Sequence, residues 1–386
     1  MTRFALSLLI FVSLAVPALA RPQAAAATDA AAIPSNISSL GSLDYPVRTR
    51  AARLLRRAPE NEVVPALVSA VRDAHADEYV RFRAFVLLTS FNAAATPQLV
   101  RDVLRDRNDR LRETAYKWLE QHPDPQLTPT LLASLQTEQA EFVRPALEGA
   151  LAALGSDPQV QRALVAEADR GLDVFRSAVI DALGRHHATY AVDALAAIAR
   201  EEGPLQGDAI LALGRIGGNP ARAVLAPLMP RGEAAVTLQA AQCLVAADTC
   251  PAQIDALKAT ATGAFVRASV AQAAVGGLGN IAEAGDDDAT KAIVQLSRTP
   301  ALHDATAFVL GAVALRQPDR MLAWLGGLGG PEYTQAVDLL KDGFESLEED
   351  YGKEQFFAAA RAAYWKAPEN SPARTSAASI IERLEF

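Results

Sequence analysis

The sequence predicts an all-α fold, a right-handed α-α superhelix (α-solenoid) of short helical hairpins with a C-terminal helical cap. The first observation is a period. An apolar residue, often followed by Arg, opens an apolar run just after an acidic residue. It recurs at Val47-Arg48, Val80-Arg81, Leu111-Arg112, Val143-Arg144 and Phe175-Arg176, then without Arg at Leu205 and Val236, and with it at Val266-Arg267. The spacings are 33, 31, 32, 32, 30, 31 and 30 residues, the regularity of units that bury their apolar faces by stacking. The second is the pattern within a unit. Ala209, Ile210, Leu213 and Ile216 line one helix face, and Ala221, Val224, Leu225 and Leu228 line another after a break. The third is composition: Ala and Leu dominate and aromatics are only 6%, which favours helices over a β-sandwich.

The elements follow in chain order. Residues 1–20, "MTRFALSLLIFVSLAVPALA", read as a secretory leader: one basic residue, an apolar run from Phe4 to Val16, and Ala18-Leu19-Ala20 at the cleavage positions. That run falls short of the roughly 20 residues that span a bilayer. An exported chain, periplasmic or secreted after cleavage near Ala20, is therefore expected, with no transmembrane segment left in the mature protein. Residues 21–42 are low in complexity and are expected to be a flexible tether. Residues 43–330 form the repeat array, and 331–386 the helical cap. "GRIGG" at Gly214–Gly218 has neither a preceding strand nor the Lys-Ser/Thr of a phosphate loop, so it is read as the bend of a hairpin. Gly217 and Gly218 are expected to end the first helix, with Asn219 capping the second. Asp77, Asp109, Glu141 and Asp173 are expected to cap the helices that follow them. The triplet Asp286-Asp287-Asp288 lacks calcium-loop spacing and is read as an acidic capping loop. Beyond Pro331, Phe344, Tyr351, Phe356, Phe357, Tyr364 and Trp365 concentrate in longer helices that cover the open end of the core.

This pattern resembles the HEAT repeat family, and "AILALGRIGGNPARAVLAPL" is similar to the short HEAT-like repeats of the phycobilisome-lyase type. The likeness runs from about Tyr45 to Arg298. It implies a binding scaffold. It also implies an arginine ladder, in which Arg48, Arg81, Arg112, Arg144, Arg176 and Arg267 pair with acidic side chains of neighbouring repeats; Gln206 and Thr237 break the series. No residue matches chromophore handling, so the lyase activity does not carry over.

Chemistry is sparse. Cys243 and Cys250 are the only cysteines, and export favours a disulfide between them, with free thiols as the alternative. Along one continuous helix they would rise about 10 Å apart, beyond the roughly 7 Å a bridge allows, so the helix must end between them. None of His75, His122, His186, His187 and His303 stands at metal-ligand spacing, and no nucleophile elbow is present. No catalytic residue, cofactor or metal is expected. The formal charge of −8 becomes one unit more negative when Arg3 leaves with the leader, which disfavours nucleic acid. Eight or nine hairpins stacked about 8–10 Å apart would extend on the order of 80 Å and offer one groove, faced by the second helices. Arg72, Gln98, Arg101, Arg105 and Arg162 are expected to project there and to take a protein or peptide, an acidic one by charge. The competing readings are an enzyme or accessory lyase-like protein with a site assembled from distant residues, marked by a deep pocket, and a structural envelope component. The oligomeric state is not legible.

Overall fold

The computed structural model describes residues 30–347 and 350–384; the expected leader lies outside them. Among the described residues there are 22 α-helices and no strand. α1 (Ile33–Ser39) precedes nine hairpins: α2 (Tyr45–Arg57) with α3 (Glu60–Arg72), α4 (Glu78–Thr89) with α5 (Thr96–Val103), and α6 (Asp109–Gln121) with α7 (Thr128–Thr137). Next come α8 (Arg144–Ala152) with α9 (Pro158–Asp169), α10 (Asp173–Arg185) with α11 (Val192–Arg200), and α12 (Gln206–Ile216) with α13 (Gly218–Leu225). The last three are α14 (Glu233–Val245) with α15 (Cys250–Ala261), α16 (Ala268–Glu283) with α17 (Asp287–Leu296), and α18 (His303–Arg316) with α19 (Pro318–Gly326). α20 (Gly330–Ser346), α21 (Asp350–Lys366) and α22 (Pro372–Leu384) complete the chain. The fold is an all-α solenoid.

The first helices pack on one another far more extensively than the second helices do. Arg215 of α12 reaches Asn280 and Glu283 of α16, past the intervening α14. Contacts that skip a repeat are possible only on the inside of a tight curve, so the first helices line the inner face and the second helices lie outside. This reverses the expectation that the second helices face the groove. Glycines let the inner helices close up. A Cβ on Gly214 would lie 2.7 Å from the Cα of Ala241, and one on Gly184 would lie 2.8 Å from that of Ala212. Only a missing side chain permits such backbone approach.

The inner face is not an open groove. α21 packs on α18 and α19 at one end and on α4 at the other. α4 is consequently buried almost all round, from Arg81 and Phe82 through Ala84 to Thr89. Arg56 at the end of α2 and Glu354 of α21, both almost fully buried, form a forked ion pair. Gln355 donates to Thr89 Oγ1, Tyr351 donates to Gln121, and Arg83 pairs with Asp350. The aromatic residues of the C-terminal region thus split. Phe344, Phe356 and Phe357 stack edge-on in the core, whereas Tyr364 and Trp365 lie outside under Arg374.

Local expectations differ in three places. Residues 21–29 of the expected tether lie outside the described residues, and the rest of it is folded: Ile33, Ile37 and Leu40 are buried where α1 packs on α2, α3 and α4. Their spacing puts them on one face, which covers the open end of the first hairpin. Of the acidic caps, Asp77 accepts from the amides of Tyr79 and Val80. Asn108 takes that place ahead of Asp109, whereas Glu141 sits in a turn and Asp173 is already helical. Gly217, at φ +71, ends α12 as expected, but α13 starts at once with Gly218, so Asn219 falls within its first turn. Asp286 does cap α17, accepting from the Ala289 amide at 2.8 Å.

Candidate functional site

The arginines after the opening residues do form a ladder through the second, third and fourth hairpins, with different partners from those expected. Arg81 is buried; it donates to the Val71 carbonyl at the end of α3 and pairs with Asp106 at 2.5 Å. Arg112 forks onto Glu138 just past α7 and donates to the Asp106 carbonyl. Arg144 donates to the Leu135 and Glu138 carbonyls and pairs with Glu167. Each guanidinium therefore holds the carbonyl end of the preceding hairpin and the acid of its own hairpin, not of a neighbour. The negative end of a helix dipole favours that placement. Arg176 keeps the carbonyl contact, to Ala168, and an ion pair with Asp173 one turn away. Arg48 donates to Ser42 and lies over the Tyr45 and Tyr79 rings, while Arg267 is exposed at the start of α16.

At the opposite edge, the C-terminal ends of the inner helices meet in a second network, which the sequence did not announce. Glu120 of α6 crosses α8 and pairs with Arg185 at the end of α10 and His186 just past it. Gly149 makes the crossing possible, because a Cβ there would lie 2.6 Å from the Glu120 carboxylate. Asp181 pairs with Arg185 and Arg215, and Glu283 pairs with Arg215 and Arg316. Burial opposes ionisation of Asp181, yet Arg185, Arg316 and Arg215 together hold its pKa at about 2. Burial likewise opposes Glu120, and His186 and Arg185 outweigh it, so its carboxyl lies below the ordinary range. Such carboxylates are acceptors fixed in place, poor proton carriers near neutrality. Glu148 is the contrasting case. It is wholly buried, and burial pushes it up to about 8 against the attraction of Arg144, with Glu167 adding to the rise.

Of the residues expected to bind a partner, Arg72, Gln98, Arg101 and Arg162 lie on the outer helices and Arg105 in the turn after α5. Arg72 pairs with Asp102, which also accepts from Gln98, and Arg101 pairs with Asp124. Arg105 and Arg162 are exposed. The first three side chains are therefore engaged along the convex surface instead of converging in a groove. Helical phase placed them facing away from the core, but it could not tell which side of the superhelix that face was on. Cys243 lies in the last turn of α14 and Cys250 opens α15, with a short 3₁₀ turn between; their Cα atoms are 4.3 Å apart and the structure bonds their sulfurs. A shallow cleft of about 610 Å³ between α17, α18 and α20 has its polar groups paired, Arg298 with Gln335 and His303 with Asp342. Among the described residues no cluster of three or more His, Cys, Asp or Glu is arranged to hold a metal, and no helix is long and apolar enough to cross a membrane.

The remaining feature is apolar. Large hydrophobic side chains stand exposed at Leu43, Tyr45, Val47, Phe142, Leu172, Val174, Met229, Phe265 and Val266, all at or beside the loops that lead into a hairpin. Among the described residues only Phe308 and Trp365 are similarly exposed elsewhere. Because the inner helices run side by side in one direction, these loops share one edge, opposite the charged network. The signal in the sequence was a large apolar residue outside any helical phase, as in "RGLDV" and "PLMPRG".

A family model described as HEAT repeats matches residues 33–115, 73–152 and 96–184. No curated protein matches the chain. Similar solved structures include human deoxyhypusine hydroxylase in complex with glycerol, 20% identical over 64% of this chain and 94% of that one, TM-score 0.29. Importin beta is 13% identical over 91% of this chain and 61% of that one, TM-score 0.34. Yeast importin-beta (Kap95p) is 13% identical over 92% and 61%, TM-score 0.39. The chain thus spans about three fifths of the importin-beta chains. The match to the HEAT repeat model thus extends over residues 33–184 of this all-α solenoid.

Proposed function

We propose that the chain is an exported, non-catalytic scaffold of the cell envelope that binds a protein partner along its inter-hairpin edge. The leader-like residues 1–20 support the location; the lyase-type repeat is a likeness of length and sequence and brings no lyase activity. The observation that carries the binding reading is the gathering of exposed apolar side chains, Phe142 and Leu172 among them, on one edge. A surface that leaves such groups in water marks an interaction site more often than a stability device. The enzyme reading has one point in its favour, the convergence of Glu120, His186 and Asp181 from distant repeats. It is weaker because arginines hold both carboxylates.

The test is crosslinking capture from an envelope fraction with the chain from Arg21 onward, followed by rebinding of the purified partner. Two variants accompany it, Phe142→Asp/Leu172→Asp on the edge and an outer-helix variant, Arg101→Glu/Arg105→Glu, on α5 and the turn after it. A partner that rebinds the wild type and the outer-helix variant, but not the edge variant, supports the proposal. Equal binding by all three, or none by any, refutes it.

A further inference from the structure

The edge is not uniform. Where α13 leads into α14 and α15 into α16, two loops lie side by side. Arg267 of the second comes within 3.5 Å of the position a Cβ on Gly232 of the first would occupy. Met229 is 91% exposed and Phe265 102%, with Val266 beside them, so this pair of loops presents the most exposed apolar surface of the edge outside the first hairpin. Each tip carries an arginine two residues on, Arg231 after Met229 and Arg267 after Phe265, and both are exposed. Neither has an ion pair among the described residues, in contrast to Arg81, Arg112 and Arg144, whose charges are met within the fold. Gly232, at φ +61, makes the turn that brings the first loop back into α14.

We infer that this paired-loop patch binds a short acidic and apolar segment of a protein partner, Met229 and Phe265 receiving its apolar side chains while Arg231 and Arg267 meet its carboxylates. The inference rests on the edge being a protein-binding surface and adds where the contact is made and what the partner carries. The argument for the occupant is charge complementarity. Two uncompensated guanidiniums on a chain of negative overall charge favour a negative partner at this point and repel a basic one. Apolar tips between them supply the area that a charged contact alone lacks, and an aromatic flanked by Arg is the composition typical of a binding hot spot.

The test uses the full folded chain and three synthetic peptides: one alternating Asp with Leu and Phe, one with Lys for every Asp, and one with Ser for every Leu and Phe. Fluorescence anisotropy should show the first binding at least about tenfold more tightly than either control. Phe265→Asp/Met229→Asp should remove the binding, and Arg231→Glu/Arg267→Glu should reverse the preference towards the Lys peptide. All four side chains are exposed, so both variants should keep the wild-type circular dichroism. The inference is overturned if the Asp peptide binds no better than the Lys one, if the variants bind it unchanged, or if sedimentation shows that Phe265→Asp dissolves a dimer, which would make a second copy the occupant. A partner captured through Phe142 and Leu172 that ignores these variants would overturn this inference and leave the edge reading intact.

Discussion

Removing Arg56 should release the helix that closes the inner face. In the wild type its Nε lies 2.9 and 3.0 Å from the two oxygens of Glu354, and Nη2 lies 2.5 Å from one of them, with both side chains almost fully buried. Breaking a buried pair leaves a charge without its partner and costs about 3–5 kcal/mol. Here the lower end applies, because Arg361 remains 3.2 Å from Glu354 and the carboxyl can take up a proton. A cost of about 3 kcal/mol is a change on the order of 100-fold in the opening equilibrium of α21. The assay is hydrogen exchange of Arg56→Met, read at Tyr351, Phe356 and Phe357, with α10 as the internal standard. Arg56→Met/Glu354→Leu should recover most of the protection, because an apolar pair leaves no charge to solvate. The pH dependence supplies a sign. Burial raises the Glu354 carboxyl, but Arg56 and Arg361 outweigh it and its pKa lies below the ordinary value. Its contribution is therefore present above about pH 4.5, the ordinary value, and lost as pH falls through the depressed one. In Arg56→Met burial is opposed less, and α21 should loosen as pH rises. Unchanged protection of α21, or equal losses in α21 and α10, would refute the reasoning.

Glu148 should make the fold less stable at high pH. Its carboxyl is raised to about 8, so the stability it allows is complete below the ordinary carboxylate value and declines as pH rises through 8. Glu148→Gln should flatten thermal melts between about pH 5 and pH 9. Gly214→Ala pushes a methyl to 2.7 Å from the Ala241 Cα and should destabilise by about 1–3 kcal/mol in denaturant titrations, whereas Gly203→Ala, with open space around it, should lie within about 0.5 kcal/mol. Reducing the Cys243–Cys250 bond, which closes a short loop, should cost about 2 kcal/mol, read as a lower melting temperature in reductant.

The sequence by itself determined the repeat, the hairpin and the bend. A face that recurs every three or four residues can be buried only as a helix, and a unit that recurs every 30 to 33 residues can be buried only by stacking. Gly217 at the end of α12 and Asp286 at the start of α17 follow from local chemistry alone, and both are found there. Curvature was decided by the tertiary structure. Whether the first or the second helices lie inside depends on how closely neighbouring backbones approach, and Gly184 and Gly214 set that through the helices they face, not through anything adjacent in the chain. For the same reason Glu120 and Arg185, 65 residues apart, and Arg56 and Glu354, 298 apart, could not be matched from spacing. Arg72 and Arg101 find their acids on the next helix or hairpin, Asp102 and Asp124, which spacing along one helix could not reveal. Exposure of Met229 and Phe265 was equally out of reach. An apolar residue in a loop is buried or bare according to what the rest of the fold lays over it, and at these two loops it lays nothing.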